Sequence, residues 1–177
     1  MNYPQILNEI EETIILEPKE GKVASYIPEL AKIDPYKFGM HICCFDREEY
    51  AFGDSQERFS IQSISKVFSL TLAVQLIGTE VWKRVDVEPS GDPFNSLVLL
   101  ENENGIPRNP LINSGALVIA DVLVSQLNNP KKDFLDFVRK ISGHKDIHFN
   151  EKVAQSEKKW GFRNAALINL MKSFGNI

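Results

Sequence analysis

Two runs of this chain, Ile64 to Leu76 and Asn113 to Leu127, are almost continuously apolar at helical length. No rotation of such a helix turns a polar face to water, so both are expected to be buried, and they set a largely helical core. Shorter helical signals surround them. Pro4 suits a first helical residue, and Leu7, Ile10 and Ile14 follow at helical spacing up to a stop at Pro18-Lys19-Glu20-Gly21. Pro28 to Ile33 is read as a further turn or two, ended by Asp34-Pro35. Glu80 to Val85, Pro130 to Ile141 and Asn164 to Phe174 read as helices. Pro130 to Ile141 carries Phe134, Phe137, Val138 and Ile141 on one face and stops at Ser142-Gly143. The period changes to two only at Phe38 to Phe45 and Glu49 to Phe52, which read as one hairpin across Asp46-Arg47-Glu48. The expected class is α+β, mostly helical. A lone hairpin is marginal in water, so these strands are expected to belong to a larger antiparallel sheet.

The 177 residues carry 43% hydrophobic and 25% charged side chains, within the range of chains that fold, and are read as one domain, 1–177. A net charge of −4 argues against nucleic acid as a partner, since no basic surface is available to displace phosphate counterions. Cys43 and Cys44 are adjacent in an apolar run and are read as core packing. His41, His144 and His148 lack the spacing of zinc ligands, so no metal site is expected. The start of the chain has no basic segment followed by an apolar one, and the reading finds no stretch of the ~20 apolar residues that a membrane span needs. Those features predict a soluble, cytoplasmic protein with no membrane partner.

Three Ser-x-x-Lys pairs occur: Ser63/Lys66, Ser142/Lys145 and Ser156/Lys159. The spacing puts a hydroxyl and an amine one helical turn apart, so the amine can take the hydroxyl proton during attack on a carbonyl. Context separates them. Lys145 and Lys159 sit in polar surroundings, whereas Ile61, Ile64, Val67, Phe68 and Leu70 flank Lys66, and desolvation lowers a lysine pKa towards that of a useful base. Ser63 falls where the helix begins, with the positive end of the dipole near a developing oxyanion. The competing account makes Ser63 a helix cap and Lys66 a surface lysine. Asn113 opens the second apolar run after the Pro107 to Pro110 passage, and its amide can face a polar ligand or simply cap the helix. Glu157 and Asn164, seven residues apart, would share a face of a continuous helix, which Gly161 interrupts. They too have an ordinary reading, a solvated charge and a cap. Pro89 to Pro110, rich in Gly, Pro and Asn, is read as a long ordered loop.

Four segments carry a resemblance. Phe59 to Val67 (FSIQSISKV), Glu88 to Ser96 (EPSGDPFNS), Gly105 to Ala116, and Ser156-Glu157 with Gly161 to Leu167 (GFRNAAL) resemble, in order and with matching gaps, the serine-dependent glutaminases of the penicillin-recognising serine hydrolase class. The similarity runs from about Lys22 to the last residue. It implies a β-lactamase/transpeptidase-like fold and hydrolysis of L-glutamine to L-glutamate and ammonia through a glutamyl-serine intermediate. No metal or organic cofactor is implied. Ser63 would be nucleophile and Lys66 general base. Ser63, Asn113, Glu157 and Asn164 would bind substrate, a buried Glu157 meeting the ammonium and Asn164 the carboxylate, with the Ser63 N–H as an oxyanion donor. A homo-oligomer, dimer or tetramer, is implied for the full-length protein.

Ser114 departs from the family, which has a small apolar residue there. A larger departure is length. Family members continue beyond this point with further strands and binding-site residues, so the chain is expected to be C-terminally incomplete and inactive or weakly active by itself. Two other readings stay open: a non-catalytic remnant that binds amino acids, and a β-lactamase-like acyl-serine hydrolase.

Overall fold

The computed structural model describes residues 2–16 and 21–177, and the chain forms two compact units, Met1–Ser60 and Ile61–Ile177. In the first unit, helix α1 spans Tyr3–Leu16. Leu7 is buried while Ile10 and Ile14 are exposed, so only part of the expected stripe is covered. Residues 17–20, most of the predicted stop signal, lie outside the described residues. The helix expected from Pro28 to Ile33 is instead a set of turns, closed by Leu30 N–H and Ala31 N–H donating to Ile27 C=O. Asp34 then accepts from Tyr36 N–H at 2.9 Å and ends the segment.

Strands β1 (Gly39–Cys43) and β2 (Glu49–Gly53) form the predicted hairpin in antiparallel register, Met40 opposite Phe52 and Ile42 opposite Tyr50. Those four side chains share the half-buried face. Strand alternation sends Cys43 the other way, onto the exposed face across from Glu49. Cys43 is exposed and Cys44 half-buried, which corrects their expected place in the core; both are free thiols.

In the second unit a 3-10 turn, Gln62–Ile64, leads into α2 (Ser65–Ile77), and a second 3-10 stretch covers Gly78–Lys83. Four helices of ten or more residues follow a short one: α3 (Leu97–Asn102), α4 (Asn113–Gln126), α5 (Pro130–Ser142), α6 (Glu151–Trp160) and α7 (Phe162–Ser173). The apolar run of α4 makes it the central helix, packed against α2 and α7. Val118, Ile119, Val122 and Leu123 meet Leu72 and Ala73 of α2, Leu100 of α3, and Leu167 and Met171 of α7 in one core. Burying a side chain such as Ile119 or Leu167 stabilises the fold by roughly 1.5–3 kcal/mol each.

The equal burial expected of α2 does not hold. Only Leu72 and Ala73 are buried on it, and Ile64, Val67, Val74 and Leu76 face outward. A second correction concerns length. With its flanking 3-10 turns, Gln62–Lys83 makes a 22-residue helical run long and apolar enough, by composition, to cross a membrane. Its α-helical part is shorter: the 13 residues of α2 rise ~20 Å, against a ~30 Å hydrocarbon core.

Two helices were not anticipated. The six residues of α3 lie inside the Gly/Pro-rich passage read as a loop, started by the Ser96 hydroxyl accepting from Leu99 N–H. Helix α6 buries only Val153, so its sequence carries almost no apolar period, and Asn150 caps it through Val153 N–H.

Residues 174–177 are tied back by Asn176, whose amide donates to Arg84 C=O at 3.0 Å and Gly105 C=O at 2.8 Å. Its own carbonyl accepts from the Arg84 guanidinium, which also pairs with Asp121 at 2.6 Å. Asn176→Ala removes both donors and should lower stability by about 1–3 kcal/mol, read as a reduced urea midpoint with an unchanged slope.

Candidate active site

Ser63 sits in the 3-10 turn ahead of α2 and is exposed. The preceding residue, Gln62, has φ +46°, a left-handed conformation that costs a non-glycine residue about 1–3 kcal/mol and must be held by its surroundings. Ile64 N–H donates to Ile61 C=O at 3.0 Å, and the Ser65 hydroxyl donates to Gln62 C=O at 2.7 Å. The residue capping α2 is Ile64, without a side-chain cap bond, so the Ser63 hydroxyl is not used as a helix cap.

Lys66, one turn on, is half-buried and reaches across to the start of α4. Its Nζ donates to Leu111 C=O at 2.9 Å and to Asn113 Oδ1 at 2.8 Å, and it lies 6.0 Å from the Phe94 ring centroid. Burial pushes its pKa below the ordinary lysine value. The surface-lysine account of Lys66 therefore does not describe it.

Asn113 is the first residue of α4, whose cap is Ile112. Its N–H donates to Phe94 C=O at 2.8 Å. Its Oδ1 accepts from Lys66 and its Nδ2 donates to Asn164 Oδ1 at 3.2 Å. The Asn113 amide thus turns its oxygen to the Lys66 amine and its nitrogen to Asn164. Asn164, the third residue of α7, uses its oxygen in this bond and leaves its NH₂ for another acceptor. Neither asparagine caps its helix.

Leu111 C=O is placed by Asn109, which accepts from Leu111 N–H at 3.0 Å and Ile112 N–H at 3.1 Å and donates to Glu88 C=O at 2.8 Å. The loop can lie this close to α4 only because of Gly115. A Cβ there would be 2.0 Å from Asn109 O.

The structure thus joins Lys66, Asn113 and Asn164 by hydrogen bonds, with Ser63 one turn before Lys66. Among the described residues no hydrogen bond links Ser63 to Lys66. Glu157 lies apart from this chain of bonds, and it is exposed on α6, which corrects the expected buried carboxylate. Gly161 breaks the helix between Glu157 and Asn164, so their seven-residue spacing does not put them on one continuous face. A Cβ at Gly161 would lie 2.6 Å from Glu157 C=O, so the chain passes too close there for any side chain. The other two Ser-x-x-Lys pairs are exposed or nearly so, Ser142 at the end of α5 and Lys159 stacked 5.5 Å over Trp160. Sequence reasoning missed Leu111 C=O, Asn109 and Phe94 as the supports of Lys66; the two prolines bracketing Arg108-Asn109 were the available signal. Among the described residues no three His, Cys, Asp or Glu side chains cluster to hold a metal ion.

The sequence model of the family described as Glutaminase matches residues 21–177. The glutaminase of Christiangramia forsetii is 62% identical over 177 residues, which is all of this chain and 58% of that protein. A solved probable glutaminase, YbaS, superposes on the whole chain with a TM-score of 0.85 at 30% identity, the match covering 58% of that structure. A Bacillus subtilis probable glutaminase, solved in complex with 6-diazo-5-oxo-L-norleucine, superposes with a TM-score of 0.71 at 32% identity, over 89% of this chain and 47% of that one. The chain spans 58% of the length of the Christiangramia forsetii relative and of a second curated glutaminase, from Saccharophagus degradans, that it matches. Sequence and fold agree, and the chain belongs to the glutaminase family, with its β-lactamase-like fold.

Proposed function

We propose that this chain carries the nucleophile and base of a glutaminase, which hydrolyses L-glutamine to L-glutamate and ammonia. The carrying observation is the pair of acceptors on Lys66. A neutral amine has two N–H bonds and one lone pair. Leu111 C=O and Asn113 Oδ1 take the two N–H bonds, which leaves the lone pair free for the Ser63 proton.

In this reading Ser63 Oγ attacks the side-chain amide carbon of glutamine as its proton passes to Lys66. The oxyanion is met by the Ser63 N–H, at the positive end of α2. Collapse breaks the C–N bond, and Lys66 returns the proton to the leaving nitrogen, which departs as ammonia. Water then attacks the glutamyl ester, gives a proton to Lys66, and glutamate leaves as Ser63 Oγ is reprotonated. The free Asn164 NH₂ suits the substrate carboxylate.

The test is covalent. Incubated with 6-diazo-5-oxo-L-norleucine, the chain should acquire one adduct, mapped by mass spectrometry to Ser63 and absent from Ser63→Ala. Ammonia release from L-glutamine should follow the same residue. An adduct elsewhere overturns the assignment, and so does the absence of any adduct when the chain is joined to the unmatched part of the Christiangramia forsetii glutaminase; acylation of Ser63 by a labelled penicillin instead would move it to the β-lactam class.

A non-catalytic, amino-acid-binding chain is the second reading, favoured by the missing Ser63–Lys66 bond. Hydrogen bonds between catalytic groups often tighten only on substrate binding, so unliganded geometry does not exclude catalysis.

A further inference from the structure

The turn that carries Ser63 is right-handed at Ile61, Ile64 and Ser65, whose φ values are −67°, −58° and −58°. Gln62, at φ +46°, leaves that region directly before Ser63. Its surroundings must hold it there, and its carbonyl is held twice. Gln62 C=O accepts from Ser65 N–H and from the Ser65 hydroxyl, the latter at 2.7 Å. A carbonyl has two lone pairs, so this one residue can engage both.

The backbone half of this clamp would form with any amino acid but proline at position 65, whereas the second half needs a side-chain hydroxyl. Back-bonding of this kind is common on helices. Ser69 and Thr71 reach four residues back, to Ser65 C=O at 3.0 Å and Val67 C=O at 2.8 Å. Those two carbonyls belong to α2 itself, whereas Gln62 C=O lies outside it, in the residue before Ser63.

That location gives the Ser65 bond a further consequence, because a peptide unit is planar and trans. Gln62 C=O and Ser63 N–H share one plane and point in opposite directions, so a bond that fixes the carbonyl also fixes the N–H. A hydrogen bond on the carbonyl polarises the unit and makes its N–H a stronger donor. The bonded amides of the turn begin one residue later, with Ile64 N–H on Ile61 C=O at 3.0 Å and Ser65 N–H on Gln62 C=O. Ser63 N–H thus stands ahead of the turn's own ladder, where a donor can face a ligand.

We propose that Ser65 is a positioning residue for the oxyanion donor. Its hydroxyl sets the plane of the Gln62–Ser63 peptide and so aims the Ser63 N–H at the amide oxygen of the substrate as that oxygen gains charge. The proposal rests on the reading of Ser63 as the nucleophile of a glutaminase. Ser65 moves no proton in it and acts apart from Lys66, whose Nζ donates to Leu111 and Asn113.

The experiment uses the chain joined to the unmatched part of the Christiangramia forsetii glutaminase. It measures ammonia release from L-glutamine per site titrated with 6-diazo-5-oxo-L-norleucine. Removing an oxyanion donor outright costs about 10²–10³ in kcat, and misaiming one costs less. Ser65→Ala is therefore expected to lower kcat about tenfold with KM changed by less than about twofold, the pattern of a contact made only in the transition state. Ser65→Thr keeps a hydroxyl able to reach the same carbonyl and should stay within about threefold of the unaltered kcat. Ser65→Val, with the shape of threonine and no hydroxyl, should match Ser65→Ala. The limb of the pH profile set by Lys66 should stay in place in all three.

A purely structural Ser65 would lower the urea midpoint and leave kcat per titrated site unchanged, which overturns the proposal. So would Ser65→Thr as slow as Ser65→Val, or a loss confined to KM. A displaced pH limb would overturn it too, by assigning Ser65 to the base. Failure of the underlying reading looks different. In that case the unaltered joined protein releases no ammonia, or Ser63→Ala releases as much, and both conclusions fall.

Discussion

Substitution of Lys66 by methionine is expected to slow labelling of Ser63 by 6-diazo-5-oxo-L-norleucine on the order of 10³-fold, within the range a positioned base contributes. Methionine keeps most of the side-chain volume in its half-buried site while removing the amine. It also leaves Leu111 C=O and Asn113 Oδ1 without their donor. Lys66→Arg should be equally slow, because a guanidinium stays protonated at every accessible pH. The pH profile separates a base from a merely structural residue. Labelling by the unaltered chain should rise with pH through the Lys66 pKa, and desolvation places that limb below the ordinary lysine range. Asn113→Asp sets a carboxylate against the ammonium, raises that pKa and should move the limb upward, whereas Asn113→Leu removes a hydrogen bond without adding charge. An unmoved limb in Asn113→Asp would remove Lys66 from the role of base. Stability carries the same sign. A lysine whose folded pKa lies below its unfolded value binds fewer protons when folded, so this group's contribution to stability increases as pH rises through the window between the two values.

Gly115→Ala should have the largest effect on folding. The added Cβ would stand 2.0 Å from Asn109 O, 2.8 Å from Asn109 C and 2.8 Å from Pro110 Cα. All three are backbone, so no side chain can swing aside, and either the loop or α4 must move. A loss of about 3 kcal/mol or more is expected, at or beyond the upper end of ordinary overpacking, measured as a shift in the urea midpoint. The neighbouring Ser114→Ala, at a buried site where the family has a small apolar residue, is the control and should change stability by less than about 1 kcal/mol. Moving residues 109–112 also displaces Leu111 C=O, so the Ser63 labelling rate should fall with stability in Gly115→Ala and not in Ser114→Ala. A Gly115→Ala protein with the original midpoint would show that the loop does not need to lie against α4.

Much of the fold was legible because it depends on local periodicity. The hairpin was recovered to within three residues at its ends, since alternation and the Asp46-Arg47-Glu48 turn are encoded side by side. Helices α4, α5 and α7 followed from apolar spacing, and α5 starts at Pro130 and ends before Gly143 as the chain's punctuation indicates, with the Asn129 cap seen only in the structure. Helix α6 was missed for the same reason the others were found. Its contribution to the core is one valine, so there was no period to read. The segment after Pro28 failed in the opposite direction, where a short helical signal yielded to turns held by Ile27 C=O.

Within the candidate site, the sequence by itself pointed to candidates: Ser63 and Lys66 by spacing together with the apolar residues around Lys66, Asn113 by its place at the start of an apolar helix, and all of them with Glu157 and Asn164 through the family resemblance. The tertiary structure alone decided which of them meet. Lys66 and Asn113 are 47 positions apart and Asn113 and Asn164 are 51 apart, so their hydrogen bonds exist only because α4 packs between α2 and α7. Burial was decided the same way. The apolar runs of α2 and α4 look alike as text, but α4 has neighbours on both sides and α2 leaves one side open. Composition records what a side chain would gain from burial, and only packing determines whether anything is there to bury it.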